Sequence, residues 1–187
     1  MRSLPDVITH NYDPARGALQ NLCDLPADQA EAILAAIRAS GRLRIKADYL
    51  ERRLGTEDWL LRERTRKLGR PHLKHPIYFF LGDFADGLDP SRPESLMIPL
   101  AVLPPEILTF TYPDSMASLS LAIEEAHLSE RKSYHGQVFT LREIEDVIAQ
   151  FGMPAPQGDH AIPKVRDRFI EVQIWDDRPL RRFLARR

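Results

Sequence analysis

A chain of 187 residues, 43% hydrophobic and 28% charged, fits the size of one domain and can bury a core without a metal or disulfide staple. Its one cysteine, Cys23, excludes an internal disulfide and suits a reducing compartment. A net charge of −1 argues against a general polyanion binder. The opening MRSLPDVITH lacks the apolar stretch of a signal peptide, and no apolar run reaches the ~18 residues of a membrane span. A cytoplasmic protein without a membrane partner is expected.

The first strand is expected at Val7–His10, before the turn signal Asn-Tyr-Asp-Pro, with Ile8 and His10 on one face. Residues Pro26–Ser40 carry a helical stripe of Ala30, Ile33, Leu34 and Ile37, with Pro26 at the start and Gly41 at the stop. Ala47–Leu68 reads as a helix in two parts, broken at Gly55-Thr56, where Thr56 with Glu57 and Asp58 has the character of a new N-terminus. From Arg44 to Lys74 the chain holds ten basic residues against five acidic, a charge of +5 balanced by −6 elsewhere. With the arginines at 178, 181, 182, 186 and 187, this segment could form a phosphate-facing surface; the plainer reading is a solvated helix face with mixed i,i+4 pairs.

Pro76–Gly82 is an aromatic strand with Ile77, Phe79 and Leu81 on one face and Tyr78 and Phe80 on the other. The loop Asp83–Pro93 should be exposed. Ser95–Val102 is the next strand, its Pro99 suggesting an edge or a bulge. Ile107–Tyr112 follows, with Thr109 and Thr111 opposite Leu108, Phe110 and Tyr112. Asp114 or Ser115 should cap a helix running to about Ala126. Phe139–Phe151 contains a capping box, Thr140 with Glu143, a staple of Phe139 and Ile144, and a buried stripe ending at Gly152. Met153–Pro163 is a loop of the kind that forms lids.

The segment Arg168–Leu184 carries the chemistry. Ile170, Val172 and Ile174 share one face of a strand. Phe169, Glu171, Gln173 and Trp175 share the other, which suits a cleft wall better than solvent or core. The alternative is that Glu171 pairs with Arg166, Arg168 or Arg178. No phosphate-binding loop, dinucleotide fingerprint or nucleophile elbow is present. One cysteine and no closely spaced histidine pair on a helix give a zinc site little support, so no metal is expected. Cys23 reads as a structural thiol.

His10, the Tyr78–Phe80 strand, the Tyr112–Ser115 turn and Glu171 form a constellation that can do glycosyl-transfer chemistry. A carboxylate can steady an oxocarbenium-like centre and help deprotonate the acceptor, an aromatic can stack on a nicotinamide ring, and an arginine can clamp a pyrophosphate. At VITH, HPIYFFLGDFADGLDPSRPESLMIPL, FTYPDSMAS and FIEVQIWDDRPLRRF the chain resembles ADP-ribosyltransferase folds, in particular the DNA-targeting toxins called DarT-like. The resemblance implies NAD as cofactor, Glu171 as the catalytic residue, and His10 with Tyr78 or Phe80 at the cofactor. Arg52 and Arg53 are the arginines considered for the pyrophosphate, Gln173 supports the acceptor, and the acceptor is a nucleic acid or a protein. The chain departs from that pattern in having Phe169 two residues before Glu171, where many of these enzymes keep Gln or Glu. It is also similar in texture to small bacterial proteins that imply no activity. Two rival readings are a non-catalytic binding or scaffolding protein and a nucleic-acid-binding protein. The expected fold is α+β or α/β, in a single domain over 1–187: a central mixed or antiparallel sheet of about six strands with four flanking helices.

Overall fold

Five short runs of alternating apolar residues pair into one antiparallel sheet. In the computed structural model, which describes residues 4–41, 44–84, 91–154 and 167–186, these are β1 (Val7–Tyr12), β2 (Ile77–Leu81), β3 (Glu94–Pro99), β4 (Leu108–Thr111) and β5 (Glu171–Ile174), in the order β3-β1-β2-β5-β4. Among the described residues five strands stand where about six were expected, and every pairing is antiparallel. β3 lies at the edge, as Pro99 suggested, and ends there. The chain beyond tightens into a 3-10 turn at Leu100–Val102, so the expected strand to Val102 is shortened.

The helices are α1 (Ala27–Ala39), α2 (Tyr49–Leu68), α3 (Ser115–Ile123), α4 (Leu141–Phe151) and α5 (Arg178–Leu184). α5, whose Pro179 suits a first helical turn, makes five among the described residues rather than the expected four. α2 is unbroken through Gly55. A glycine costs a helix about 1 kcal/mol relative to alanine, too little to stop one anchored by buried Leu50, Trp59 and Leu60. Thr56, expected to begin a new helix, instead donates its hydroxyl back to the Arg52 carbonyl at 2.9 Å. α4 begins at the predicted capping box. Thr140 N–H donates to Glu143 Oε2 at 2.7 Å and Glu143 N–H to Thr140 Oγ1 at 3.3 Å. α3 stops at Ile123, short of Ala126, with Asp114 Oδ1 accepting the Ala117 N–H at 3.0 Å.

Register gives the sheet two unlike faces. Phe79 stands beside Val172, which stands beside Phe110, and Ile77, Ile174 and Leu108 form the next row. With Ile8, Ile98, Ile170, and Ile144, Ile148 and Leu180 from α4 and α5, they make the main core. Each side chain fully buried there contributes roughly 1.5–3 kcal/mol. The opposite face carries polar rows, Phe80–Glu171–Thr111 and Tyr78–Gln173–Thr109. It is covered at the Trp175 end by Trp59 and Leu60 of α2, Leu119 of α3 and Val138. α1 does not pack on the sheet as expected. Its Ala30 and Leu34 bury against Leu50 at the start of α2, with Leu22, Leu25, Ile45 and Tyr49 around them. Gly136, at φ 70°, is required where the chain returns past α3, because a Cβ there would collide with the Ala122 methyl.

Most of the basic surface expected of α2 is neutralised locally. Arg66 pairs with Glu63 at 2.6 Å, Lys67 with Glu143 at 2.6 Å and Arg52 with Glu124 at 3.7 Å. Arg64 is buried, donating to the carbonyls of Gly69 and Glu106 at 2.7 and 2.8 Å. These pairs leave a helix face of mixed charge. No helix among the described residues is long and apolar enough to cross a membrane. The expected lid loop Met153–Pro163 and the loop Asp83–Pro93 lie largely outside the described residues.

Candidate active site

The polar face of β5 is built by alternation. Because Ile170, Val172 and Ile174 must face the core, Glu171, Gln173 and Trp175 are forced to the other side, where β4 offers Thr109 and Thr111. A chain of hydrogen bonds runs down these residues. Trp175 Nε1–H donates to Thr109 Oγ1 at 2.7 Å, and Thr109 donates to Gln173 Oε1 at 2.9 Å. The Gln173 amide donates to Thr111 Oγ1 at 3.1 Å and to Glu171 Oε1 at 3.0 Å. The Ser115 N–H, at the first turn of α3, reaches the same Glu171 oxygen at 3.3 Å. No hydrogen bond among the described residues reaches Glu171 Oε2. Gln173, expected to support an acceptor, is fully buried and holds Glu171 instead.

Glu171 lines a cavity of about 470 Å³ together with His10, Arg53, Tyr78, Phe80, Asp114 and Phe169. Five of the seven residues singled out in the sequence as catalytic or contacting a cofactor or acceptor therefore meet in one space. Arg52 does not: one residue along the helix from Arg53, it turns outward to Glu124. Phe80 and Phe169 stand edge-on at 4.5 Å between centroids, with Phe84 at 5.4 Å from Phe80. Ile33 and Ile37 of α1 form an apolar wall, Arg44 and Arg92 add cationic groups, and Arg16 stands paired with Asp13 at 3.1 Å. The three arginines drew no notice in the sequence as site residues, because only tertiary packing brings their loops together.

Beneath the cavity lies a buried ion network. Arg53 donates to Glu57 Oε1 at 3.2 Å and stacks over the Tyr78 ring at 4.0 Å. Tyr78 Oη donates to the same Glu57 oxygen at 2.7 Å, as does the Asn21 amide at 3.0 Å. Burial opposes the Arg53 charge, but Tyr78, Glu171 and Glu57 outweigh it and hold its pKa above the ordinary arginine value. Burial pushes the Tyr78 phenol well above its usual range, against the pull of Arg53. In the sequence Glu57 reads as part of a helix start, and nothing local signals its role as the anchor of Arg53 and Tyr78. The same surroundings disfavour the Cys23 thiolate. Burial, then the Glu57 charge, pushes its thiol up to about 11.

His10 sits where the β1–β2 ladder ends, after Thr9 and Phe80. Its Nδ1–H donates to the Tyr78 carbonyl at 2.7 Å and its Nε2 accepts the Leu19 N–H at 3.0 Å. These partners fix the neutral tautomer. Burial lowers its pKa, the Tyr78 bond opposing. His10 thus shapes the cavity wall by tying the loop after β1 to β2. Of the arginines weighed as partners of Glu171, Arg178 instead forks onto Asp176 at 2.6–3.1 Å, and Arg166 lies outside the described residues. The arginine that faces Glu171 is Arg53. Elsewhere, His72, Asp176 and Asp177 place ligand atoms within 4.8 Å of one another, but Arg178 and Arg181 already engage the two carboxylates.

Burial raises the pKa of Glu171 above its ordinary value of 4.5, with Arg53 opposing and Asp114 adding. A raised carboxylate contributes stability that is complete below pH 4.5 and is lost as pH rises through the folded value. The Glu171→Gln variant should therefore melt above the wild type at pH 7.5, with the gap closing toward pH 4. Paired thermal melts across that range check this; a gap that stays constant or widens toward pH 4 would contradict it.

No family model, curated protein or solved structure matches the chain, so the chemistry of the site rests on its own geometry.

Proposed function

We propose that this protein is an NAD-dependent ADP-ribosyltransferase whose catalytic carboxylate is Glu171. The observation that carries the reading is the convergence of Glu171, Arg53, Tyr78, Phe80 and His10 on one cavity of about 470 Å³, from three strands and a helix far apart in sequence. The residues present suit NAD. Phe80 and Phe169 offer flat apolar faces to a nicotinamide ring. Arg44 and Arg92 bring positive charge to the cavity for a pyrophosphate. NAD supplies an ADP-ribosyl group joined to a leaving nicotinamide. Glu171, held by Gln173 and Ser115 through one oxygen, keeps the other for a ribose hydroxyl and for the positive charge that develops on the ribose. Arg53, buried and locked by Glu57, tunes Glu171 rather than clamping phosphate.

The acceptor on this reading is a protein or nucleic acid presenting an O–H or N–H group at the cavity. A second reading, a binding pocket without turnover, is favoured by His10, whose two ring nitrogens are already engaged.

The test is a thermal melt of wild type and Glu171→Gln with and without millimolar NAD, alongside nicotinamide release. At a hundredfold excess over its dissociation constant a ligand stabilises the fold by about 2.7 kcal/mol. A shift in both proteins with release only from the wild type is expected. A shift without release from either would favour the binding pocket, and no shift at saturating NAD would remove the proposal.

A further inference from the structure

We propose that Asp114 is a second catalytic carboxylate of this cavity, taking the proton of the attacking acceptor while Glu171 steadies the ribose; this rests on the transferase reading above. Asp114 and Glu171 both line the cavity, from different elements. They are linked through Ser115, the residue after Asp114, whose N–H donates to Glu171 Oε1. Arg53 faces both. The two carboxylates differ in position. Glu171 is 7% exposed and takes two N–H donors on one oxygen, which oppose the burial that raises its pKa. Asp114 is half-buried, more open than Glu171, and neighbouring Met116 also lines the cavity. Asp114 Oδ1 is spent capping α3 on the Ala117 N–H. The cap fixes the carboxylate's orientation. Burial raises its pKa, the Ala117 bond and Arg53 opposing; a raised value makes a carboxylate a stronger base.

In the step itself, Asp114 accepts the proton of the acceptor O–H as oxygen bonds to the ribose C1′. The C1′–nitrogen bond breaks and its electron pair leaves with the nicotinamide nitrogen, discharging the pyridinium. Charge balances: the carboxylate becomes a neutral acid, and nicotinamide departs neutral. Two carboxylates at one site with separate duties, one ionised beside the sugar and one handling the proton, follow the logic of glycosyl-transfer chemistry in general.

Asp114→Asn is the informative variant, because asparagine caps a helix as well as aspartate and the fold is kept. Three readouts are made on wild type and variant: NAD-induced thermal shift, nicotinamide release with water as acceptor between pH 5 and 9, and the carbon-13 titration of the Glu171 carboxyl. The expected result is an unchanged thermal shift and a fall of about 10²–10⁴-fold in release. The rise of rate with pH through the base's midpoint should vanish, and the Glu171 midpoint should fall once its like-charged neighbour is gone. A purely structural cap would leave the pH profile intact. Release within twofold of wild type and the same pH profile would overturn the role of Asp114 while leaving the transferase reading standing. An unmoved Glu171 midpoint would overturn the carboxylate pairing whether or not NAD binds. If the midpoint falls but the wild type neither binds nor consumes NAD, the transferase reading fails and takes the catalytic role of Asp114 with it.

Discussion

Replacing Arg53 with methionine should lower the unfolding free energy by about 3–5 kcal/mol, the cost of breaking a buried ion pair from one side. Arg53 and Glu57 are 11% and 1% exposed in their side chains, so water cannot replace the lost partner. Methionine fills much of the same volume, which leaves charge as the main difference. The variant also loses the largest influence that lowers the Glu171 pKa. Its deficit should therefore shrink as pH falls toward 4, because more of the Glu171 carboxyl is then neutral in the folded state. Urea unfolding at pH 7.5 and pH 4.5 measures both effects. Adding Glu57→Gln should restore part of the loss, since an amide keeps an oxygen for Tyr78 and Asn21 without an uncompensated charge; contacting groups couple by about 0.5–3 kcal/mol. A single-variant loss below about 1 kcal/mol would show that Arg53 is hydrated and that the network beneath the cavity is looser than its distances indicate.

Trp175→Ala should cost about 3–5 kcal/mol, the range for emptying a buried aromatic site. Trp175 is fully buried between Trp59, Leu60 and Val138, and its indole N–H begins the hydrogen-bond chain that ends at Glu171. Trp175→Phe separates packing from polarity. It retains most of the apolar contact and removes only the donor to Thr109, for an expected loss of about 1–3 kcal/mol. If the two variants lose equally, the hydrogen bond rather than the packing governs the site. The phenylalanine variant should also change the Glu171 titration midpoint slightly, because Thr109 and Gln173 are then free to reorient.

How much was legible in the chain differs from element to element. The alternation of Ile170, Val172 and Ile174 against Glu171, Gln173 and Trp175 holds, because side-chain direction along a strand is local geometry. So do the α4 capping box and the α1 stripe, although only Ala30 and Leu34 of that stripe bury, while Ile33 and Ile37 face the cavity. The break expected at Gly55 fails for a different reason. A local penalty of about 1 kcal/mol is smaller than the burial of Leu50, Trp59 and Leu60, which lie on both sides of the glycine. Local spacing points to nearby arginines as the charges facing Glu171, yet the arginine charge that opposes its burial is Arg53, on a helix more than a hundred residues earlier. Nothing in local spacing encodes that meeting. His10, expected at a cofactor, lines the cavity, but its partners, a backbone carbonyl and a backbone N–H, are groups that every residue carries.

The sequence by itself determined which residues face which side, where four of the five helices lie, and that a lone carboxylate stands on an otherwise aromatic and amide face of a late strand. These follow from periods of two and 3.6 residues, capping chemistry and the position of prolines, all properties of a few neighbouring residues. Only the tertiary structure decided the strand order β3-β1-β2-β5-β4, the register that sets Phe80 and Thr111 on either side of Glu171, and the choice of Arg53 over Arg52. Those depend on contacts between distant segments, where the energy of burying a whole face outweighs any single local preference, so the site exists only once the sheet has closed beneath α2 and α3.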